Sequence, residues 1–164
     1  MKATGTLGWQ HWRDPAVLAV CGFGTGFSPV APGTVGSLGA VVVWWFLLKD
    51  LAWFWQLGAI AAVTILGVWL IARVNARYGV GDAGAIVIDE VAGQWIALLL
   101  APASLLAVVL AFALFRLFDV WKPWPVGWLD RNLRGAWGVM ADDLAAGGMA
   151  FAVLQFTFLI LPHI

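Results

Sequence analysis

Residues 91–115, which read VAGQWIALLLAPASLLAVVLAFALF, decide the fold prediction because this long stretch is apolar and carries no charge. Pro102 stands in its middle, and a proline removes a backbone donor and disfavours the helical conformation of the residue before it. Ser104 follows, and serine is a favourable N-cap for a new helix. We therefore predict two helices that form a hairpin turning at Pro102. The alternative is one helix kinked at Pro102, which would place its two flanking segments on opposite sides of a membrane.

Other apolar stretches predict further helices of membrane-spanning type, for which about 20 apolar residues are needed. The hairpin helices are expected at about residues 83–100, with Asp82 as the N-cap, and at about 104–121. The remaining apolar stretches cover residues 34–48, 51–71 and 144–161. The fold class predicted is thus all-α, an integral membrane bundle of about five apolar helices in a single domain over residues 1–164.

The composition supports a membrane protein. The chain is 63% hydrophobic and only 11% charged, whereas soluble domains carry roughly 25% charged residues. A chain of 164 residues has too little interior to bury that much apolar surface. The formal net charge is zero, so no nucleic-acid partner is indicated. The single cysteine, Cys21, lies in an apolar run and is expected to serve in packing.

The distribution of basic residues favours the hairpin over the kinked helix. With five spans and the N-terminus inside, eight of the nine Lys and Arg residues fall on the cytoplasmic side, and only Lys49 falls outside. This is the bias that the positive-inside rule describes. A single kinked helix would move the basic residues after position 115 to the outside and remove the bias.

Acidic residues are concentrated in the second half of the chain, where they interrupt apolar helices or lie at their ends. Five of them are expected at one depth near the cytoplasmic ends of three helices, with Asp142 and Asp143 starting the last helix: Asp89, Glu90, Asp119, Asp142 and Asp143. Ionisable groups at membrane depth are costly and indicate function by default. Carboxylates that repel one another need a positive charge among them, and oxygen ligands favour Mg²⁺, Mn²⁺ or Ca²⁺. Only His11 and His163 are present, so a zinc site is not expected.

Arg116 precedes Asp119 by three residues and is predicted to lie on the same helix face. Its guanidinium is expected to bind phosphate oxygens and to stabilise the charge that develops on them. The candidate catalytic residues are therefore Asp89, Glu90, Arg116 and Asp119, with Glu90 as first choice for the general base. The alternative is that these charges form interhelical salt bridges, for example between Arg116 and Asp89.

Residues 22–37 combine glycines and hydroxyl side chains ahead of a helix predicted to start at about Thr34, as phosphate-binding loops do. No lysine follows the glycines, so this is not a Walker loop. A re-entrant loop whose glycines only permit packing is the alternative. Basic and tryptophan residues alternate after Lys122, which suits an anionic lipid headgroup or ordinary interfacial anchoring. The candidate phosphate-binding residues are Thr25, Ser28, Thr34, Ser37, Arg116 and Lys122.

Four stretches in this order resemble the phosphatidylglycerophosphatase A family of bacteria. They are GTG at residues 24–26 with APGTVGS at 31–37, IVIDEV at 86–91, FRLFD at 115–119 with KPWP at 122–125, and GVMADD at 138–143. They extend over most of the chain, from about residue 22 to 147. Small departures from the family pattern, at Ala83, Ala92 and Ala136, remove no charged or hydroxyl group.

The resemblance implies Mg²⁺-dependent removal of the terminal phosphate from phosphatidylglycerophosphate, which gives phosphatidylglycerol and inorganic phosphate in phospholipid biosynthesis. It also implies a multi-pass protein of the bacterial inner (cytoplasmic) membrane whose active site faces the cytoplasm. Two readings from other classes are kept open: a small membrane transporter whose charges line an ion path, and a non-catalytic membrane subunit with buried ion pairs. The sequence leaves the oligomeric state open.

Overall fold

The computed structural model describes residues 6–81 and 83–160, and within these ranges every regular element is helical. The helices are α1 Pro15–Val20, α2 Pro32–Val43, α3 Trp53–Tyr78, α4 Ile88–Ala97, α5 Leu105–Trp121, α6 Val126–Asn132 and α7 Gly135–Ile160. Helix α2 continues as a π-helical turn, Trp44–Leu48, and 3-10 segments cover Trp9–His11 and Gly22–Phe27. For these ranges the all-α prediction is confirmed.

The break predicted around Pro102 is present. Helix α4 ends at Ala97 and α5 begins at Leu105. The predicted N-cap is confirmed, because the Ala107 N–H donates to Ser104 Oγ at 3.1 Å. Leu100, in the connection, has a left-handed φ of 60°, so the chain turns there rather than continuing through a kink.

The predicted start of the first hairpin helix at residue 83 is wrong, because α4 begins only at Ile88. The Val87 N–H donates to the Val20 carbonyl at 2.9 Å, which ties this segment to the end of α1. A Cβ on Gly26 would overlap the carbonyl oxygen of Ala85, so residues 83–87 also lie directly against the 3-10 segment Gly22–Phe27. These contacts draw the backbone away from a helix. The predicted cap, Asp82, lies outside the described residues.

The five predicted spans differ in length. Helices α3 and α7, of 26 residues each, are long and apolar enough to cross a membrane. Helix α2 with its π-helical continuation is shorter, as is α5 with 17 residues. Helix α4 has 10 residues, which at 1.5 Å per residue cover about half of a hydrocarbon core of about 30 Å. The expectation that Asp142 and Asp143 start the last helix is wrong, because α7 begins at Gly135.

Helix α4 lies at the centre of the bundle, between α2, α3, α5 and α7. The Trp95 Nε1–H donates to the Ala40 carbonyl at 2.9 Å, and Gln155 Nε2 donates to the Leu99 carbonyl at 3.2 Å. These bonds join the later parts of α2 and α7 to the last turn of α4 and the residues just after it, so the three helices run in the same direction. Helix α5 runs in the opposite direction, and its C-terminal end therefore lies beside the starts of α4 and α7.

The outer surface is strongly apolar. Exposed side chains on different helices include Phe46, Ile65, Leu105 and Leu159, which are between 68% and 79% exposed. So many large apolar side chains exposed on several helices are typical of a lipid-facing exterior. The charged groups described below are the exception, and they gather at one end.

Candidate active site

A polar cavity of about 370 Å³ opens at the end of the bundle where α4 and α7 begin and α5 ends. Acidic side chains line it from four helices: Asp89 and Glu90 of α4, Asp119 of α5, Asp130 of α6, and Asp142 and Asp143 of α7. The basic residues that line it are Lys122 and Arg134. The structure thus brings together all five carboxylates that the sequence placed at one depth, and it adds Asp130.

Three carboxylates form the closest group in the cavity. Asp89, Glu90 and Asp143 each offer an oxygen within 4.8 Å of the others, and Asp89 and Asp143 are 8% and 4% exposed. The Glu90 N–H donates to Asp89 Oδ1 at 3.0 Å. Glu90 Oε2, by contrast, is buried without a hydrogen-bond partner among the described residues. An all-oxygen donor set with an unpartnered carboxylate oxygen suits a hard divalent cation such as Mg²⁺.

Glycines bring the two helices of this acidic group together. A Cβ on Gly147 would overlap the carbonyl oxygen of Gly93, and a Cβ on Gly93 would lie 2.5 Å from Phe115 Cε2. Asp89 precedes Gly93 by four residues and Asp143 precedes Gly147 by four, so each carboxylate lies one turn from the contact on the same helix face. The close backbone approach therefore places the two carboxylates opposite each other.

Arg116 lies behind the acidic group rather than on the cavity wall. Its Nη1 is 2.7 Å from Asp119 Oδ2 and donates to Ser37 Oγ at 3.4 Å. Ser37 Oγ in turn donates to the Gly33 carbonyl at 2.8 Å. A Cβ on Gly33 would overlap Glu90 Oε1 and lie 3.3 Å from Arg116 Nη1. The start of α2 therefore packs tightly against this pair of charges, and Arg116 is in position to orient Asp119.

Lys122 is held by two carboxylates on the cavity wall. Its Nζ is 2.5 Å from Asp130 Oδ1 and 2.8 Å from Asp142 Oδ2. Its backbone is left-handed, with φ of 51°, so α5 ends there and the chain turns towards α6. Burial alone would lower the pKa of Lys122, but the hydrogen bonds and charges of Asp130 and Asp142 outweigh it and raise the pKa above its ordinary value. Lys122 is therefore a fixed cation at neutral pH.

The hydroxyl residues of the glycine-rich segment do not line the cavity. Thr25 Oγ1 donates to the Gly22 carbonyl at 2.9 Å, and Ser28 Oγ donates to the Val30 carbonyl at 2.8 Å. Thr34 is half-buried in the first turn of α2, which begins at Pro32 rather than at Thr34. Of the predicted phosphate-binding hydroxyls, only Ser37 touches a charged site residue. The phosphate-binding role of all four stays a prediction.

Cys21 is fully buried, and burial raises the pKa of its thiol to about 12. The thiol is therefore protonated at neutral pH, which fits the packing role expected for it.

The sequence reasoning missed two uncharged polar residues. Asn75 of α3 lines the cavity, and its Oδ1 is buried without a partner among the described residues. Gln94 is fully buried one turn beyond Glu90, and both polar atoms of its side chain likewise lack a described partner. The available signal was an amide side chain inside an otherwise apolar helix, which calls for a partner just as a charge does.

The chain is similar to known proteins over most of its length. A family model described as Phosphatidylglycerophosphatase A matches residues 18–158. Phosphatidylglycerophosphatase A of Escherichia coli (strain K12) is 41% identical over 144 residues, which cover 87% of this chain and 83% of that protein. The protein of the same name from Haemophilus influenzae is 39% identical over 142 residues, covering 86% and 87%. A Bacteroides thetaiotaomicron protein named Putative phosphatidylinositol-3-phosphatase is 41% identical over 145 residues, covering 84% and 90%. No solved structure gives a significant match.

Proposed function

The chain belongs to the phosphatidylglycerophosphatase A family, and from this premise we propose that it hydrolyses the terminal phosphate monoester of phosphatidylglycerophosphate. The products are phosphatidylglycerol and inorganic phosphate, which makes the reaction a step of phospholipid biosynthesis. The observation that carries the proposal is the cavity, which is lined both by a cluster of three carboxylates and by two cationic side chains. Acidic ligands for a metal and cations for phosphate oxygens are the two parts that phosphoryl transfer requires.

Mg²⁺ is the proposed cofactor. Asp89, Glu90 and Asp143 fit it because their donors are all oxygens within 4.8 Å of one another. Asp119 and Asp142 line the same cavity and complete the proposed ligand set. When bound, the ion would stabilise charge on the phosphate oxygens and lower the pKa of a bound water.

The chain's own residues have separate roles in this proposal. Glu90 would serve as general base through the carboxylate oxygen that does not hold the ion, and this oxygen accepts a proton from the attacking water. The water oxygen bonds to phosphorus, the bond from phosphorus to the glycerol oxygen breaks, and the proton is returned to that departing oxygen. Lys122 uses two of its three N–H donors on Asp130 and Asp142, which leaves one for a phosphate oxygen. Arg116 acts through Asp119, which it holds at 2.7 Å.

We further propose that the chain is a multi-pass protein of the bacterial inner membrane with the cavity on the cytoplasmic side. The two long apolar helices and the exposed apolar exterior support embedding in lipid. The cavity lies at the end of the bundle that carries most of the basic residues, and basic residues favour the cytoplasmic side. An active site there would meet a phospholipid headgroup without drawing the acyl chains from the bilayer.

The test is phosphate release from phosphatidylglycerophosphate by the purified protein in detergent, measured with Mg²⁺, with EDTA, and with Mg²⁺ restored. The proposal requires release that EDTA abolishes and Mg²⁺ recovers. A folded sample that releases no phosphate with Mg²⁺ or Mn²⁺ would contradict it. Ion flux in vesicles without phosphate release would then favour a transporter, and neither activity would favour a non-catalytic subunit.

The relative named as a phosphatidylinositol-3-phosphatase makes the choice of lipid a second question. Its named substrate and phosphatidylglycerophosphate share one chemical plan, in which a phosphodiester joins diacylglycerol to a polyol that carries a terminal phosphate monoester. The same assay should therefore compare phosphatidylglycerophosphate with phosphatidylinositol 3-phosphate. We expect the higher kcat/KM with phosphatidylglycerophosphate, and the reverse order would reassign the headgroup while leaving the phosphatase reaction intact.

A further inference from the structure

Arg134 stands at the corner between α6 and α7 and lines the cavity. Its side chain is exposed, and it forms no salt bridge with any acidic residue in the described ranges. The other cations near the cavity differ from it. Lys122 is shared between Asp130 and Asp142, and Arg116 is paired with Asp119 away from the wall.

The neighbouring residue Arg131 provides a contrast within one short segment. It is exposed, as Arg134 is, but it belongs to α6 and does not line the cavity. Among the described residues that line the cavity, Arg134 is therefore the basic residue that forms no salt bridge, and its guanidinium is available to bind an anion.

The surroundings of Arg134 place it at the depth of lipid headgroups. Trp124, Trp128 and Trp137, which flank the corner in the sequence, are 80%, 49% and 57% exposed. Exposed tryptophans of this kind sit at the boundary between hydrocarbon and water, which is where the phosphodiester of a phospholipid lies. The positive end of the α7 dipole lies at the same wall, because Gly135 and Gly138 also line the cavity.

We propose that Arg134 binds the internal phosphodiester of the substrate headgroup while the acidic group acts on the terminal monoester. The assignment rests on the proposed function. It adds that the site recognises both phosphate groups of the substrate, which the polyol of the headgroup separates. Lipids with both groups are then favoured over phosphatidate, whose single phosphate is attached directly to diacylglycerol. A guanidinium suits this role because it offers several donors to one phosphate group.

The experiment compares wild type, Arg134→Gln and the matched control Arg131→Gln in neutral detergent. Binding of dihexanoyl phosphatidylglycerol, which has the phosphodiester but no monoester, is measured by calorimetry. We expect Arg134→Gln to weaken this binding about tenfold, the size of one charge-assisted hydrogen-bonded contact, and Arg131→Gln to match wild type. In hydrolysis of phosphatidylglycerophosphate, Arg134→Gln should raise KM by a similar factor with little change in kcat. This is the result expected when the lost contact binds the substrate and the transition state equally well.

Two results would overturn the assignment. One is wild-type affinity of Arg134→Gln for phosphatidylglycerol, and the other is an equal loss in Arg131→Gln, which would indicate a general surface charge effect. Failure of the proposed function looks different. A wild-type protein that binds phosphatidylglycerol in an Arg134-dependent way but releases no phosphate would refute the phosphatase and leave the phosphodiester site standing.

Discussion

The two walls of the cavity are built in different ways. The acidic wall consists of Asp89 and Glu90, in the first turn of α4, and Asp143, inside α7, which lie close together beside a contact between glycines. The basic wall consists of Lys122 and Arg134, which come from the residues that end or connect helices. The side chain of Lys122 is 34% exposed, whereas Asp143 is nearly buried.

The difference indicates a division of labour. Buried side chains on packed helices keep one geometry, which suits groups that act on the reacting phosphorus. Long cationic side chains at an exposed corner can adapt, which suits recognition of a lipid headgroup at the membrane surface. Changes in the acidic wall should therefore act on kcat, and changes in the basic wall should act mainly on KM.

The largest effect is expected from Asp143→Asn, which keeps the shape of the side chain and removes one charge of the acidic group. We expect kcat to fall by about 10²–10³-fold or more, the range typical for loss of one electrostatic group at a reacting centre. The measurement is phosphate release at saturating Mg²⁺ and substrate. The matched control is Asp50→Asn, because Asp50 is 83% exposed and pairs with Lys49 outside the cavity. A near-normal kcat in Asp143→Asn would remove the acidic wall from the chemistry.

The next effect tests whether the glycine contact positions the acidic wall. Gly147→Ala places a Cβ against the backbone of Gly93, and overpacking of this kind costs about 1–3 kcal/mol. We expect a lower thermal midpoint and a fall in kcat of at least tenfold, because α4 and α7 must separate. The neighbouring Gly148 has nothing within 4 Å of its Cβ position, so Gly148→Ala should match or exceed wild type in stability. Equal behaviour of the two variants would show that the contact is not needed for the site.

The sequence predicted the acidic wall better than it predicted the helices that carry it. Each acidic residue is unusual in its own apolar surroundings and can be recognised from the sequence alone. This is why the sequence was enough to find Asp89, Glu90, Asp119, Asp142 and Asp143. The break before Ser104 could be found for the same reason, because proline and an N-cap act locally. The start of α4 could not, since it depends on contacts of residues 83–87 with α1 and Gly26, which are distant in the sequence.

The arrangement of the cations also could not be predicted from the sequence. Arg116 lies within the apolar helix α5 and Lys122 directly follows its end, and both side chains suit phosphate, but only Lys122 lines the cavity. That distinction depends on which way α5 is rotated and on the turn at Lys122, whose backbone is left-handed. The hydroxyls of residues 22–37 failed to reach the cavity for a comparable reason, since Thr25 and Ser28 satisfy nearby carbonyl groups instead.

A smaller effect is expected from Asp130→Asn, which removes one of the two carboxylates that hold Lys122. Partly exposed ion pairs contribute about 0.2–1 kcal/mol, so KM should rise by no more than about fivefold with kcat nearly unchanged. Asp130→Glu should restore most of the affinity, because the longer carboxylate can still reach the Lys122 ammonium. The measurement is steady-state hydrolysis by the three proteins side by side. A collapse of kcat at normal KM would show instead that Asp130 acts on the reacting phosphate and not through Lys122.

The smallest effect on catalysis is expected from Asp14→Ala. This substitution removes a largely buried carboxylate that belongs to neither wall of the cavity. Asp14 caps α1 by accepting from the Ala16 N–H at 2.9 Å, and its Oδ2 accepts from Arg77 Nη1 and Tyr78 Oη at 2.9 Å each. Burial works against the charged form, but these hydrogen bonds and the Arg77 charge lower the pKa of Asp14 overall. Its stabilisation is therefore fully present above the pKa of an unfolded aspartate and is lost only as pH falls through the lower folded pKa.

At neutral pH, loss of the cap in Asp14→Ala should cost about 1 kcal/mol of stability, while kcat and KM stay within twofold of wild type. Asp14→Asn should keep most of the cap and fall between the two in stability. Thermal unfolding and hydrolysis measured on the same preparations check both parts. If Asp14→Ala lowered kcat as Gly147→Ala does, catalysis would depend on the fold as a whole, and the contrast between the two walls would no longer explain where function resides.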